Sequence, residues 1–265
     1  MKRFHLIGLP TDINSSFSRG PAKAPQAIRE ALASDRGNAS AENGLEAGTD
    51  FELKDFGDLA LLEAPGDDLL IEAAAKGSIE AGAVPVCLGG DHAVSAPILA
   101  GVHAALGRVH IVHIDAHPDT YEDFEGNPRS HASPFARILE RGHALSLTQI
   151  GVRTVNRHCR EQARRYGVRM IEMKDFDVAA LPVFEGLTYL SIDLDGIDPA
   201  FAPGVSHPEP GGLTVREVLA IVRRLKGPLV GADIVELNPL FDQNHVTAIL
   251  AAKLVREIAA QAAAI

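Results

Sequence analysis

The chain reads as an α/β protein built on a central, mostly parallel sheet of about eight strands with helices on both faces. Three observations predict this. Short apolar runs alternate with amphipathic, helix-like segments along all 265 residues, a pattern that suits a single domain over 1–265. Several runs are nearly continuous in Val, Ile and Leu, as expected when both faces of a parallel sheet are covered. The three segments richest in Asp and His each follow such a run, at the carboxyl ends of strands, where open parallel sheets form their sites.

In chain order, strands are expected near 4–9, 50–56, 84–88, 109–114, 147–152, 168–172, 187–193 and 229–235. Helices are expected near 24–33, 68–81, 93–106, 133–141, 158–166, 214–225 and 244–262. The first apolar stretch is broken by His5, Gly8 and Pro10, so it is a strand and a poor signal peptide. Residues 34–49 are small, polar and Gly-rich, and read as an exposed loop, not a domain boundary. The C-terminal Ala-rich residues are the fading end of the last helix, and no internal repeat is present.

Composition narrows the function classes. The formal net charge is −10, which disfavours nucleic acid or an anionic membrane as partner and favours small cations. No apolar run approaches the roughly 20 residues of a membrane span. Two cysteines, Cys87 and Cys159, are too few for a disulfide framework and read as reduced thiols of a cytoplasmic protein. Gly89-Gly90 has neither the phosphate-loop Lys nor dinucleotide-type spacing, and no Gly-x-Ser-x-Gly elbow occurs.

The chemistry lies in Gly-Gly-Asp-His at 89–92, Asp-Ala-His-Pro-Asp at 115–119 and Ser-Ile-Asp-Leu-Asp-Gly-Ile-Asp-Pro at 191–199. Together they offer six ligands: His92, Asp115, His117, Asp119, Asp193 and Asp195. If strand geometry continues past Ile114, Asp115, His117 and Asp119 share one face, and Asp193 and Asp195 follow the same alternation. Pro118 marks where sheet pairing stops. One Asp at a strand end is ordinarily a turn former or helix cap, but six such residues in three motifs make a binuclear metal centre. Four carboxylates balance two divalent cations in charge; without cations they would repel, and some would take up protons. Oxygen-rich ligation with two imidazoles suits manganese best, with cobalt, nickel or zinc as alternatives. His113 is left as a core or supporting histidine, and His110 as an ordinary strand residue.

These motifs resemble the ureohydrolase family of arginases, agmatinases, formimidoylglutamases and guanidino-acid hydrolases. The match extends to Gly20-Pro21 with Pro25, Ile28 and Arg29, to Asp55-Phe56-Gly57-Asp58, and to Asp233-Ile234-Val235-Glu236-Leu237-Asn238-Pro239. The resemblance implies a three-layer α/β/α fold, two Mn(II) ions per subunit, a small cationic guanidino substrate, and a homotrimer or homohexamer. It places His92, Asp115, Asp119 and Asp193 on one metal or bridging the pair, with His117 and Asp195 completing the other side. His131 matches the family's proton-shuttling histidine, and Glu236 the carboxylate that grips the guanidinium. The implied reaction is attack of a metal-bridging hydroxide on the guanidinium carbon, with Asp119 relaying a proton to the leaving amine.

Residues 120–127 look more like agmatinases than arginases. The Asn and the acid that arginases carry near Tyr121 and Asn156 are absent. The expected activity is therefore agmatinase-like, with formimidoylglutamate or a guanidino acid as alternative substrates, and arginase activity or a non-catalytic role less favoured. Ala132 stands where agmatinases commonly have Gly and would reshape the pocket. Arg19 and Arg129 lie in loops, where an arginine is ordinarily solvated; one that faces the pocket mouth would pair with a carboxylate tail.

Overall fold

The computed structural model describes all 265 residues. Eight strands form one sheet: β1 (Lys2–Gly8), β2 (Phe51–Asp58), β3 (Val84–Leu88), β4 (Val109–Ile114), β5 (Ala144–Val152), β6 (Arg169–Glu172), β7 (Thr188–Asp193) and β8 (Leu229–Val235). Seven α-helices accompany them: α1 (Ala24–Ala33), α2 (Asp67–Glu80), α3 (Ser95–Leu106), α4 (Pro134–Glu140), α5 (Arg157–Tyr166), α6 (Val215–Val222) and α7 (Val246–Ala263). Each expected element is present, within a few residues of its expected bounds.

The strand order is β2-β1-β3-β8-β7-β4-β5-β6, and every pairing is parallel. The chain lays down β1 to β3 on one side and β4 to β6 on the other, then returns to fill the gap with β7 and β8. The four central strands therefore end side by side. Three of them lead into the metal-ligand motifs, and β8 leads into Glu236.

Alternation along each strand divides the core into two layers. Phe4, Leu6, Val86, Leu88, Val112, Ile114, Leu190, Ile192, Ala232 and Ile234 face the larger cluster, shared with α1, α6 and α7. Ile7, Cys87, Val109, Ile111, Tyr189 and Val235 face the smaller one, shared with α2, α3 and α4. Covering both faces is what made the strand runs read as continuously apolar. Both cysteines are buried and unpaired. Burial and the nearby Asp233 charge push the Cys87 thiol far up, so it is inert as a nucleophile.

Segment 34–49 is exposed, as expected, but tethered. Hydrogen bonds from Arg216 and Lys253 hold the Glu42 carboxylate down at about 2, Arg223 adds a third cation at 2.7 Å, and Asn43 Nδ2 donates to the Ala260 carbonyl. The segment thus lies on α6 and α7, away from the pocket described below.

Helices α2 and α3 cross at very close range at Gly101, where a Cβ would come within 2.3 Å of the Glu72 carbonyl oxygen. Helix propensity alone favours Ala over Gly by about 1 kcal/mol. The contact reverses that sign: overpacking of this kind costs about 1–3 kcal/mol. Gly101→Ala is expected to lower the urea midpoint; a raised midpoint would show that the helices separate freely.

Candidate metal centre

The six predicted ligands converge at the carboxyl ends of β3, β4 and β7. His92 opens a 3-10 turn after β3, capped by the Asp91 carboxylate, which accepts from the Ala93 N–H. Only glycine fits at position 90, where a Cβ would lie 1.7 Å from the Thr11 carbonyl oxygen. His92 Nδ1 lies 3.2 Å from Asp115 Oδ2, 3.0 Å from Asp119 Oδ2 and 3.2 Å from Asp193 Oδ2. His117 Nδ1 lies 3.4 Å from Asp115 Oδ1 and 3.1 Å from Asp195 Oδ2. Two groups result, His92-Asp115-Asp119-Asp193 and Asp115-His117-Asp195, with Asp115 common to both.

The route to this convergence differs from simple strand alternation. Pairing of β4 stops at Ile114, ahead of Pro118, and the chain leaves extended geometry before Asp119. Asp119 reaches His92 through a left-handed backbone, φ 48°, which is uncommon for a non-glycine residue. Likewise β7 ends at Asp193, and a 3-10 turn over Leu194–Gly196 places Asp195. The Asp195 N–H donates to Asp193 Oδ1 at 2.8 Å, so the turn fixes one carboxylate relative to the other. Glu236, just past β8, also has positive φ, 65°. Two of the candidate catalytic residues therefore occupy strained conformations, a trait concentrated at functional sites.

The arrangement suits cations. His92 Nδ1 is buried and makes no well-formed hydrogen bond, although three carboxylate oxygens surround it. Burial and the neighbouring charges of Asp195 and Asp115 push Asp193 well above the usual carboxylate range. Burial and the Asp115 charge raise Asp195 to about 6. The two imidazoles are pushed towards the charged form despite burial, His92 by Asp115, Asp119 and Asp193, and His117 by Asp195 and Asp115. The cluster takes up protons to make good a shortage of positive charge, which two divalent ions would supply.

A second layer orients these groups. His92 Nε2 is 3.0 Å from Ser191 Oγ, and Ser191 donates to Asp233 Oδ1 at 2.6 Å. Asp233 also accepts from Ser95 and Tyr189 hydroxyls at 2.8 and 2.6 Å. With one proton held on Nε2, His92 would present an Nδ1 lone pair to a cation that replaced the second proton. His113 Nε2 meets Asp115 Oδ2 at 2.7 Å, which gives it the supporting place expected. His110 meets only Ser146.

His131 and Glu236 stand together at the cluster's edge. Glu236 Oε1 accepts from the His92 N–H at 2.8 Å and lies 2.8 Å from His131 Nδ1. Burial works against the imidazolium of His131, but Glu236, with Asp119 and Asp91 further off, holds its pKa at about 9. Its Nε2 lies 2.8 Å from Ser16 Oγ. A cavity of about 180 Å³ opens over the cluster, walled by Ser16, Tyr121, Phe124, Ala132, Thr154 and His207. Its size suits a small substrate rather than the drug-sized ligands of pockets of about 300–1,000 Å³.

Two expected features are absent from this cavity. Arg129 pairs with Asp68 at 2.6 Å, and Arg19 pairs with Asp12 and Glu63. Both guanidinium groups find carboxylates outside the pocket, and neither lines it. Ser16, Thr154 and His207 carried no sequence signal. Asp233 sat inside a quoted motif, but only the fold reveals its link to His92.

Comparison with known proteins places the chain. A profile of the arginase family matches residues 2–260. Arginase 1, mitochondrial, of Arabidopsis thaliana is 46% identical over 97% of this chain and 80% of its own length. Agmatinase, mitochondrial, of Gallus gallus is 34% identical over 95% of this chain and 78% of its own. The solved arginase from Medicago truncatula superposes with a TM-score of 0.94 at 41% identity, covering 98% of this chain and 87% of that one. These figures do not carry the lean towards agmatinases read from residues 120–127, because the plant arginases match better. The chain belongs to the arginase family of ureohydrolases.

Proposed function

We propose that the protein is a binuclear metal-dependent amidinohydrolase that releases urea from a small guanidino compound. The observation that carries this is the junction of a six-residue Asp/His cluster with the His131–Glu236 pair in one small pocket. In this reading His92, Asp115, Asp119 and Asp193 hold one metal ion, and His117 and Asp195, with Asp115 shared, hold the other. Manganese is the favoured ion for so oxygen-rich a set. When bound, the two ions supply Lewis acidity that activates water near neutral pH.

The chain's own groups do the remaining work. Glu236 has one oxygen fixed by His92 and His131 and the other free of protein partners, so it can pair with guanidinium N–H groups. Asp119, at the pocket floor, moves a proton towards the leaving nitrogen. His131, which reaches the exposed Ser16 on its outer side, exchanges protons with solvent. The apolar face of Phe124 and the methyl of Ala132 narrow the pocket.

L-Arginine is the first substrate of this proposal, on the strength of the relatives named arginase. Agmatine is the second reading. It is supported by the acidic floor and by the absence of any arginine or lysine lining the pocket to meet a carboxylate.

Manganese-loaded protein is expected to release urea from L-arginine or agmatine in a colorimetric assay; no urea from either would overturn the reading. Asp193→Asn is expected to reduce tightly bound metal to one ion or fewer per chain after dialysis, measured by inductively coupled plasma mass spectrometry. Two retained ions would remove Asp193 from the ligand set. His131→Ala should keep the wild-type metal content while lowering kcat by about 10²-fold or more, the usual contribution of a positioned acid–base group; unchanged turnover would take His131 out of the mechanism.

A further inference from the structure

One polar side chain in the pocket is used neither by the Asp/His cluster nor by the His131–Glu236 pair. His207 lies on the segment between β7 and α6. Its ring is 5.3 Å from that of His131, 6.2 Å from that of His117 and 5.7 Å from Phe17. It is half-buried and lines the cavity, with no protein hydrogen bond to either ring nitrogen.

Two other polar groups of the wall already have partners. Ser16 turns its hydroxyl and its N–H to His131 Nε2. The Tyr121 hydroxyl accepts from Asn156 Nδ2 at 2.6 Å. No arginine or lysine lines the cavity, and Arg19, Arg129 and Arg153 are all engaged elsewhere. Free donors away from the acidic floor are therefore the His207 ring, the exposed Thr154 hydroxyl and the Tyr121 O–H, whose proton the contact with Asn156 leaves unused. An imidazole keeps at least one N–H to donate in either protonation state.

We propose that His207 is the specificity-determining residue that reads the substrate's tail, donating a ring N–H to the carboxylate of an amino-acid guanidine. This rests on the amidinohydrolase reading given above. The guanidinium is drawn to Glu236 and the carboxylate floor, so the tail extends outwards to the pocket mouth, where His207 packs against the exposed Phe17. There a carboxylate needs a donor, and His207 is the one unpartnered imidazole on that side of the cavity.

The test compares wild type, His207→Ala and His207→Gln as manganese-loaded proteins, with L-arginine and agmatine as substrates. Calorimetric binding of L-ornithine and putrescine, the same two tails without the guanidinium carbon, gives a readout independent of turnover. A lost hydrogen bond to a charged group predicts an arginine KM raised about 10- to 100-fold in His207→Ala. The arginine kcat and the agmatine KM should both stay within about threefold. His207→Gln, which keeps a side-chain N–H, should recover part of the loss. Ornithine binding should weaken by a similar factor while putrescine binding holds. Equal losses for both tails, a fall in kcat at unchanged KM, or a wild type that binds putrescine but not ornithine would each overturn the assignment. If neither substrate yields urea, the amidinohydrolase reading fails by itself. The ornithine arm still decides on His207, because unchanged ornithine affinity in His207→Ala removes it.

Discussion

Mutual repulsion among four buried carboxylates is the constraint around which this molecule is organised. Asp115, Asp119, Asp193 and Asp195 are all at least nine-tenths buried and share one small space. Two like charges 4 Å apart cost about 4 kcal/mol at an effective dielectric of about 20, so the cluster is tolerable only with positive charge among its members. His92 and His117 supply part of it by becoming charged, and Asp193 and Asp195 are pushed towards protonation. A scaffold that keeps such groups together must resist their separation, and a fully parallel sheet packed on both faces does so.

The same logic runs one layer deeper. Asp233 is a fully buried carboxylate on β8, without a cationic partner. It is tolerated because three hydroxyls donate to it, from Ser95, Tyr189 and Ser191, and a satisfied buried network is rigid where a half-satisfied one would be costly. Through Ser191 that rigidity reaches His92. Polar residues thus interrupt otherwise apolar strands where the metal cluster needs support from below, as His113 also does beneath Asp115.

The pocket's outer wall comes from distant parts of the chain. The segment after β1 folds across the site: Asn14 donates its N–H to Asp91 and accepts from the His131 N–H, and Asn127 Nδ2 donates to its side chain. Ser16 then meets His131, while His207 arrives from beyond β7. The cluster and Glu236 at the floor follow the four central strands, whereas the outer wall of the pocket is carried by loops. Chemistry and specificity are therefore separable in this fold, as is common where loops present the variable part of a site on a rigid scaffold.

Periodicity in the sequence determined the sheet, the helices and the six cluster residues, because strand runs covered on both faces and Asp/His motifs at strand ends are local patterns. It also indicated that the carboxylates need positive charge among them, since that follows from their number alone. The tertiary structure decided how Asp119 and Asp195 reach the cluster. A left-handed residue and a 3-10 turn do this, not continued alternation, and neither has a local sequence mark. It also decided that Arg19 and Arg129 turn away from the pocket, because Asp12, close by in the chain, and the distant Glu63 and Asp68 capture them. Ser16, Thr154, His207 and Asp233 gained their places only on folding. Their significance lies in which side chain stands opposite, and opposition across a pocket is fixed by the packing of segments that share no neighbourhood in the chain.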